Sequence, residues 1–258
     1  MKGRSISPGT GEGKAVILKD AFSFLGGVDS KIGELSIATG RMGVSIKGSV
    51  FIFPKGRGST VGSYTLLDLK KHGNQPSAII NEKAETIVAT GAVMANVPMV
   101  DMLDISIFRE GDEVFVDGST GEVSIAGVKE SSVTTSIVRH GERILILKRS
   151  EKVGTNKGKW AGVSGYVEEG ESPEQTAPRE IREELSIDQF IMVGKASPII
   201  VREAGHIWII HPYLFEVGSE EVVTDWEHTE HRWVLPSEVK DFDTVPGFDR
   251  LLAVLKVI

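Results

Sequence analysis

The densest chemistry in the sequence lies in Arg179-Glu-Ile-Arg-Glu-Glu-Leu-Ser-Ile187. Glu180, Glu183 and Glu184 stand there at i, i+3 and i+4, the spacing that places side chains on one helix face. Carboxylates packed so closely repel one another and destabilise a helix unless a positive charge is set among them. Carboxylate oxygens are what Mg2+ and Mn2+ prefer, and Mg2+ takes substrate phosphates as further ligands. The pattern therefore points to chemistry on a phosphate-bearing substrate. Glu171, in the loop before this helix, is close enough in sequence to reach the same site. A solvated acidic face is the plainer alternative, but it leaves the preceding Gly165-Tyr-Val-Glu-Glu-Gly-Glu171 unexplained.

A second candidate site lies in Phe51-Ile-Phe-Pro-Lys-Gly-Arg-Gly-Ser-Thr-Val-Gly-Ser-Tyr64. A strand ends at Pro54, and the turn Gly56-Arg57-Gly58 leads to Ser59-Thr60 at a helix start. Free amides and the positive dipole end at a helix N-terminus bind anions. Arg57 adds a cation suited to carboxylate or phosphate, so Arg57, Gly58 and Thr60 are candidate substrate-binding residues. The same field would ease deprotonation of Ser59. From spacing alone an ordinary Ser/Thr cap after a flexible turn is the better reading, since glycine-loop patterns are common.

Both candidate sites need elements to hold them. In the first half, β-type runs recur between glycines: 14–18, 48–53, 77–80, 86–89 and 113–116. Thr60 to Lys71 reads as a helix, with a weaker one around 90–95, which suggests an α/β layer. In the second half, 132–138 and 143–148 frame a hairpin turn at His140-Gly141. A long strand is expected over 206–217, another over 231–235, and a closing helix over 247–257. The acidic helix is expected to start at the Ser172-Pro-Glu-Gln175 capping box and to be distorted at Pro178. Trp160, Trp208, Tyr213 and Trp226 are either base-stacking surfaces or core. His206 and His211, five apart on a strand, face opposite sides and are no metal pair.

The order Gly-x5-Glu-x7-Arg-Glu-Ile-x-Glu-Glu-x-x-Ile over 165–187 resembles the Nudix box, and the flanking elements fit that family's α/β/α sandwich. The resemblance covers 131–258. It implies Mg2+- or Mn2+-dependent cleavage of a phosphoanhydride in a nucleoside-diphosphate-X or related diphosphate. By position, Glu180, Glu183 and Glu184 become the metal set with the Gly165 carbonyl, and Arg179 orients Glu171 through a bidentate pair. The base is Glu180 or, from the loop before the last strands, Glu227 or Glu230. One position departs from the pattern: Ser186 stands where a turn-forming glycine is usual.

Residues 1–127 resemble the swivel-domain small subunits of the aconitase-X family, of the archaeal phosphomevalonate dehydratase type. The resemblance rests on 23–29, 50–64, 76–85 and 91–98. It implies a swivelling β/β/α domain, with Ser59 as catalytic base in the dehydration of mevalonate 5-phosphate. The iron–sulfur cluster would sit in a separate, Cys-containing large subunit. Ile37-Ala-Thr-Gly-Arg-Met-Gly43 departs from the His-Pro-Leu-Tyr-Gly-Lys-like stretch expected there.

Composition agrees with this division. The chain has 258 residues and no cysteine, so it can supply neither a thiolate site nor a cluster ligand. The net charge of −7 argues against nucleic acid or an anionic membrane as general partners. Nearly all of that excess falls after residue 130. No apolar run approaches membrane-spanning length, and a cytoplasmic protein is expected. The expected whole is an α/β chain of two domains, 1–127 and 131–258, with two activities. Two alternatives stay open: a hydrolase whose first domain only binds or regulates, and a dehydratase subunit whose Nudix domain only binds nucleotide.

Overall fold

The computed structural model describes residues 1–203 and 205–258, which divide into two compact units, Met1–Val128 and Lys129–Ile258. Both are mixed α/β.

In the first unit, besides a short pairing of Val28–Asp29 with Glu34–Leu35, the strands are β1 (Arg4–Ser7), β2 (Thr10–Ile17), β3 (Val50–Phe53), β4 (Ala78–Asn81), β5 (Met99–Asp101), β6 (Glu113–Asp117) and β7 (Glu122–Ile125). They form one sheet in the order β1-β5-β4-β3-β2-β6-β7. The four central strands, β5-β4-β3-β2, run parallel and the outer pairings are antiparallel. Parallel strands are covered on both faces and so read as unbroken apolar runs; Val50 to Phe53 are all fully buried. Phe22, Phe24, Phe51 and Phe53 meet largely edge-to-face in the core, the geometry their ring quadrupoles favour.

Helix α1 (Val61–Lys71) follows the glycine-rich turn, and α2 (Thr86–Met94) packs against it. The expected strand over 86–89 is therefore the first turn of a helix. Glu85 settles the choice, since its side chain accepts a hydrogen bond from Ile87 N at 3.0 Å and caps the helix. Gly91 then lets the helices approach: a Cβ there would lie 3.0 Å from Ser63 Cα.

The second unit contains β8 (Lys129–His140), β9 (Arg143–Arg149), β10 (Trp160–Ala161), β11 (Val163–Tyr166), α3 (Pro173–Leu185), β12 (Phe190–Lys195), β13 (Ile199–Glu203), β14 (His206–Val217), β15 (His228–Val234) and α4 (Phe248–Val254). The path β10-β9-β8-β14-β12 is joined by β11 on β8, β13 on β14 and β15 on β9. Strands β8 and β14 pair in parallel along their length, Val133 opposite Ile210. The hairpin at His140-Gly141 is present, with Arg139 opposite Ile144.

Alternation along β9 makes the sandwich. Leu145 and Leu147 pack with Ala177, Ile181 and Leu185 of α3, whereas Ile144 and Ile146 pack with Phe248, Leu251 and Leu252 of α4. The two helices thus cover opposite faces of the sheet. Helix α4 is shorter than expected, because Lys256 adopts a positive φ of 57° and cannot continue it. No helix among the described residues is long and apolar enough to cross a membrane.

Candidate functional site

Helix α3 starts at Ser172, whose backbone N donates to Gln175 Oε1 at 2.9 Å. It continues as one element through Pro178, so the expected distortion does not interrupt it. The last two turns of the helix, from Arg179 to Leu185, sort their residues by face. Ile181 and Leu185 are buried in the core, while Glu180 and Glu184 face β11 and the loop before β15, with Glu183 beside them at the surface.

Arg179 gathers three carboxylates. Its Nε and Nη2 each lie 3.1 Å from Glu171, a bidentate pair, and its Nη1 reaches Glu180 at 2.8 Å and Glu183 at 3.0 Å. This pairing holds Glu171 below the usual carboxylate range. Glu183 remains mostly exposed. Gly165 leaves room for a neighbouring carboxyl: a Cβ there would fall 2.0 Å from the Glu180 carboxyl carbon, so the Glu180 side chain would have to move. That carboxyl group therefore lies directly against the β11 backbone.

Glu184 is the anomaly. It is 3% exposed, its Oε1 accepts from Ser164 N at 3.1 Å, and its Oε2 has no hydrogen-bond partner. His228 Nε2 approaches that oxygen to 3.6 Å. Burial pushes the Glu184 carboxyl well above its ordinary value of 4.5, and the nearby charges of Glu180, Glu227 and Asp225 push the same way. Glu180 and Glu227 are also raised, mainly by burial. Burial lowers His228, which is held by Asp225 at 3.2 Å. A buried carboxylate with an orphaned oxygen, surrounded by other carboxylates, is a costly arrangement that a cation would relieve.

The residues that could hold a divalent cation are therefore Glu184, Glu180, Glu183 and the Gly165 carbonyl, and as hard oxygen donors they fit one. Among the described residues no three such side chains are already closed around one ion position, because Arg179 holds Glu180 and Glu183. Glu230 does not join the cluster. It pairs with Lys148 at 2.8 Å and Arg232 at 3.6 Å, and Lys148 lowers its pKa. Sequence reasoning passed over Asp225 and His228; their short spacing around Glu227 was the available signal.

Ser186 adopts the left-handed conformation at the end of α3, with φ 54° and ψ 33°, the geometry for which glycine is usual. Of the aromatics, Trp160 and Tyr213 are core, and burial raises the Tyr213 hydroxyl to about 12. Trp226 is exposed, and Trp208 lines a cavity.

In the first unit, Ser59 and Thr60 precede α1. Ser59 Oγ accepts from Val61 N at 3.3 Å, whereas the Thr60 side chain makes no cap bond. Gly58 has φ 109°, and a Cβ there would fall 2.7 Å from Ser23 Oγ, so the turn is closely fitted to the 22–27 segment. Arg57, Ser23 and Arg41 line one cleft of about 1060 Å3. Arg41 comes from the departing 37–43 segment and is fixed bidentately by Glu110, at 2.8 and 2.7 Å.

Comparison with known proteins follows the same division. The model for the aconitase X swivel domain matches residues 1–125, and the NUDIX domain model matches residues 130–255. The phosphomevalonate dehydratase small subunit of Methanocaldococcus jannaschii is 49% identical over 125 residues, covering 48% of this chain and 96% of that protein. A crystal structure of Thermococcus kodakaraensis aconitase X in its holo-form aligns with 48% identity over 48% of this chain and 95% of that one, with a TM-score of 0.47. The crystal structure of the MutT protein from Methanosarcina mazei aligns with 26% identity over 48% of this chain and 89% of that one, with a TM-score of 0.42.

Proposed function

The chain belongs to the aconitase X swivel-domain family over its first unit and carries a Nudix domain in its second, and from this we propose a two-activity enzyme. The second unit is a divalent-metal-dependent hydrolase of a diphosphate-containing small molecule. The first is the small subunit of a phosphomevalonate dehydratase-type enzyme.

The observation that carries the hydrolase reading is the orphaned, buried oxygen of Glu184 among the other carboxylates. Glu184, Glu180, Glu183 and the Gly165 carbonyl hold Mg2+ or Mn2+. When bound, such an ion neutralises a diphosphate and makes a water molecule acidic. The protein's own residues do the rest. Arg179 and Glu171 fix the orientation of Glu180 and Glu183. Arg149, near enough to Glu227 to lower its pKa, offers a cation to the substrate phosphates. Glu227 and Glu180 are the candidate bases, since burial moves both toward the pH at which a base is most effective. Glu230, neutralised by Lys148, stands outside this set. A panel of diphosphates incubated with and without Mg2+ tests the reading. Mg2+-dependent release of product, lost in Glu184→Gln, is expected; turnover unchanged by that substitution overturns the assignment.

In the first unit, Ser59 acts as base and Arg57, Gly58 and Thr60 bind the substrate anion. The iron–sulfur cluster comes from a Cys-containing partner, since this chain has no cysteine. The support is identity to proteins named as that small subunit along nearly their whole length. Dehydration of mevalonate 5-phosphate on mixing with such a large subunit, lost in Ser59→Ala, is the expected result. A chain that neither binds the large subunit nor restores its activity would leave the first unit as a binding or regulatory module.

A further inference from the structure

The sheet of the second unit treats two of its edges differently. Strand β15 lies at one and, among the described residues, pairs only with β9. Its exposed residues are Thr229, Glu230, His231 and Arg232, the polar and charged composition that keeps an edge from pairing with another chain. Strand β12 ends the path at another edge and, among the described residues, pairs only with β14. It carries Ile191, Met192 and Val193 in a row, 69%, 42% and 47% exposed. An edge strand presents unpaired N–H and C=O groups, and three exposed apolar residues on it make a docking template rather than a protected rim.

The residues along this edge say what fits it. Met192 and Gly194 lie opposite Phe215 and Leu214, which are neighbours in β14, so Val193 is an extra, bulged residue. The bulge resets the alternation. Phe190 and Met192 lie opposite Val217 and Phe215 of the core beneath α3, and Lys195 lies opposite Tyr213 of the same core. In an unbulged strand Lys195 would fall on the other face. Asp188 and Gln189 just precede the strand and are exposed; extending the alternation back from Phe190 puts Asp188 on the face of Lys195. A second copy of this strand, antiparallel about a two-fold axis at Ile191, then sets Phe190 against Met192 twice and Asp188 against Lys195 twice, with Val193 the extra residue on each side. A parallel, in-register pairing would instead set Asp188 on Asp188 and Lys195 on Lys195, which is repulsive. Lys195 is 62% exposed and holds Glu174 at 3.3 Å, and its ammonium has further donors for a second carboxylate. Residues 188–195 are thus complementary to themselves, in charge and in apolar contact, in one orientation.

We infer that the chain forms a closed two-fold dimer through β12, continuing the sheet of one second unit into that of a second copy. The inference is independent of both proposed activities. Sedimentation velocity of the full chain over a concentration series tests it. A monomer–dimer equilibrium with nothing larger is expected, because the isologous pairing uses up the edge. Ile191→Lys sets two ammonium groups against each other at the axis and should raise the dimer Kd about tenfold or more. Val223→Lys, at a valine 70% exposed outside the strand, should leave the dimer unchanged. Asp188→Lys and Lys195→Glu should each weaken the dimer, and the two together should restore it, a pattern that a general loss of stability does not give. Circular dichroism and fluorescence unfolding transitions confirm that each variant is folded. A chain that stays monomeric, assembly beyond the dimer, a dimer unmoved by Ile191→Lys, or an exchange of charges that fails to restore association would each overturn the inference.

Discussion

Replacing Glu184 with Gln should make the metal-free second unit more stable, although the residue is fully buried. The carboxyl makes one hydrogen bond, from Ser164 N, which Gln can keep. Its other oxygen is unpaired and lies near Glu180, Glu227 and Asp225. A buried polar group without a partner costs about 1–3 kcal/mol, and more when charged. Removing the charge should therefore recover about 1–3 kcal/mol near pH 8, or roughly 3–10 °C in Tm for a unit of this size. The sign with pH follows from the raised pKa. The stability of the parent from this group is full below the ordinary value of 4.5 and is lost as pH rises through the higher value of the folded state. The advantage of Glu184→Gln should thus be small near pH 4.5 and grow toward neutral and alkaline pH. Mn2+ should reverse the order, since at 100 times its Kd it adds about 2.7 kcal/mol to the parent only. The measurement is clean because Trp160, Trp208, Trp226 and Trp233 all lie in the second unit, so tryptophan fluorescence follows its unfolding alone. A variant less stable than the parent at pH 8 without metal, or stabilised equally by Mn2+, would refute the reasoning.

Three further outcomes are expected. Ser186→Gly should raise the stability of the second unit by about 1 kcal/mol, because a side chain in the left-handed region costs roughly 1–2 kcal/mol and glycine pays none of it; urea unfolding by fluorescence reads this. Gly165→Ala should weaken Mn2+ binding, as the new Cβ would push the Glu180 carboxyl aside; calorimetry with Mn2+ reads this, and an unchanged unfolding transition shows that the unit still folds. In the first unit, Arg4→Ala should lower stability, since it strips both charge-assisted bonds from buried Asp101 and leaves that carboxylate only the Ala84 N–H; circular dichroism during urea unfolding should show it while the fluorescence transition stays in place.

Much of the fold was legible because local patterns and tertiary packing agreed. The hairpin at His140-Gly141, the 206–217 strand and the acidic helix each carried a clear period and a turn or cap signal. Thr86-Ile-Val-Ala89 misled because β-branched residues favour strands, while the deciding groups were Glu85 and the close helix contact at Gly91. The carboxylate set was legible from spacing along one helix. The cavity lined by Trp208 was not: Asn156, Glu203 and Trp208 are brought together by strand register across four strands, and nothing local in the sequence encodes that. Glu227 and Glu230 looked alike as loop charges, and the pairing of Lys148 with Glu230 across β9 and β15 is what separates them.

The parallel pairing of β8 with β14 has a kinetic consequence. Arg139 and Glu216, joined at 2.7 Å, are 77 residues apart in sequence, so closing this pair is a slow, non-local event. The hairpin β8–β9 and helix α3 can form early from local signals. The cavity lined by Trp208 cannot exist until β14 docks on β8. During refolding, the ordering of Trp208 should therefore return in the slowest phase of the second unit, after most helical signal has been regained.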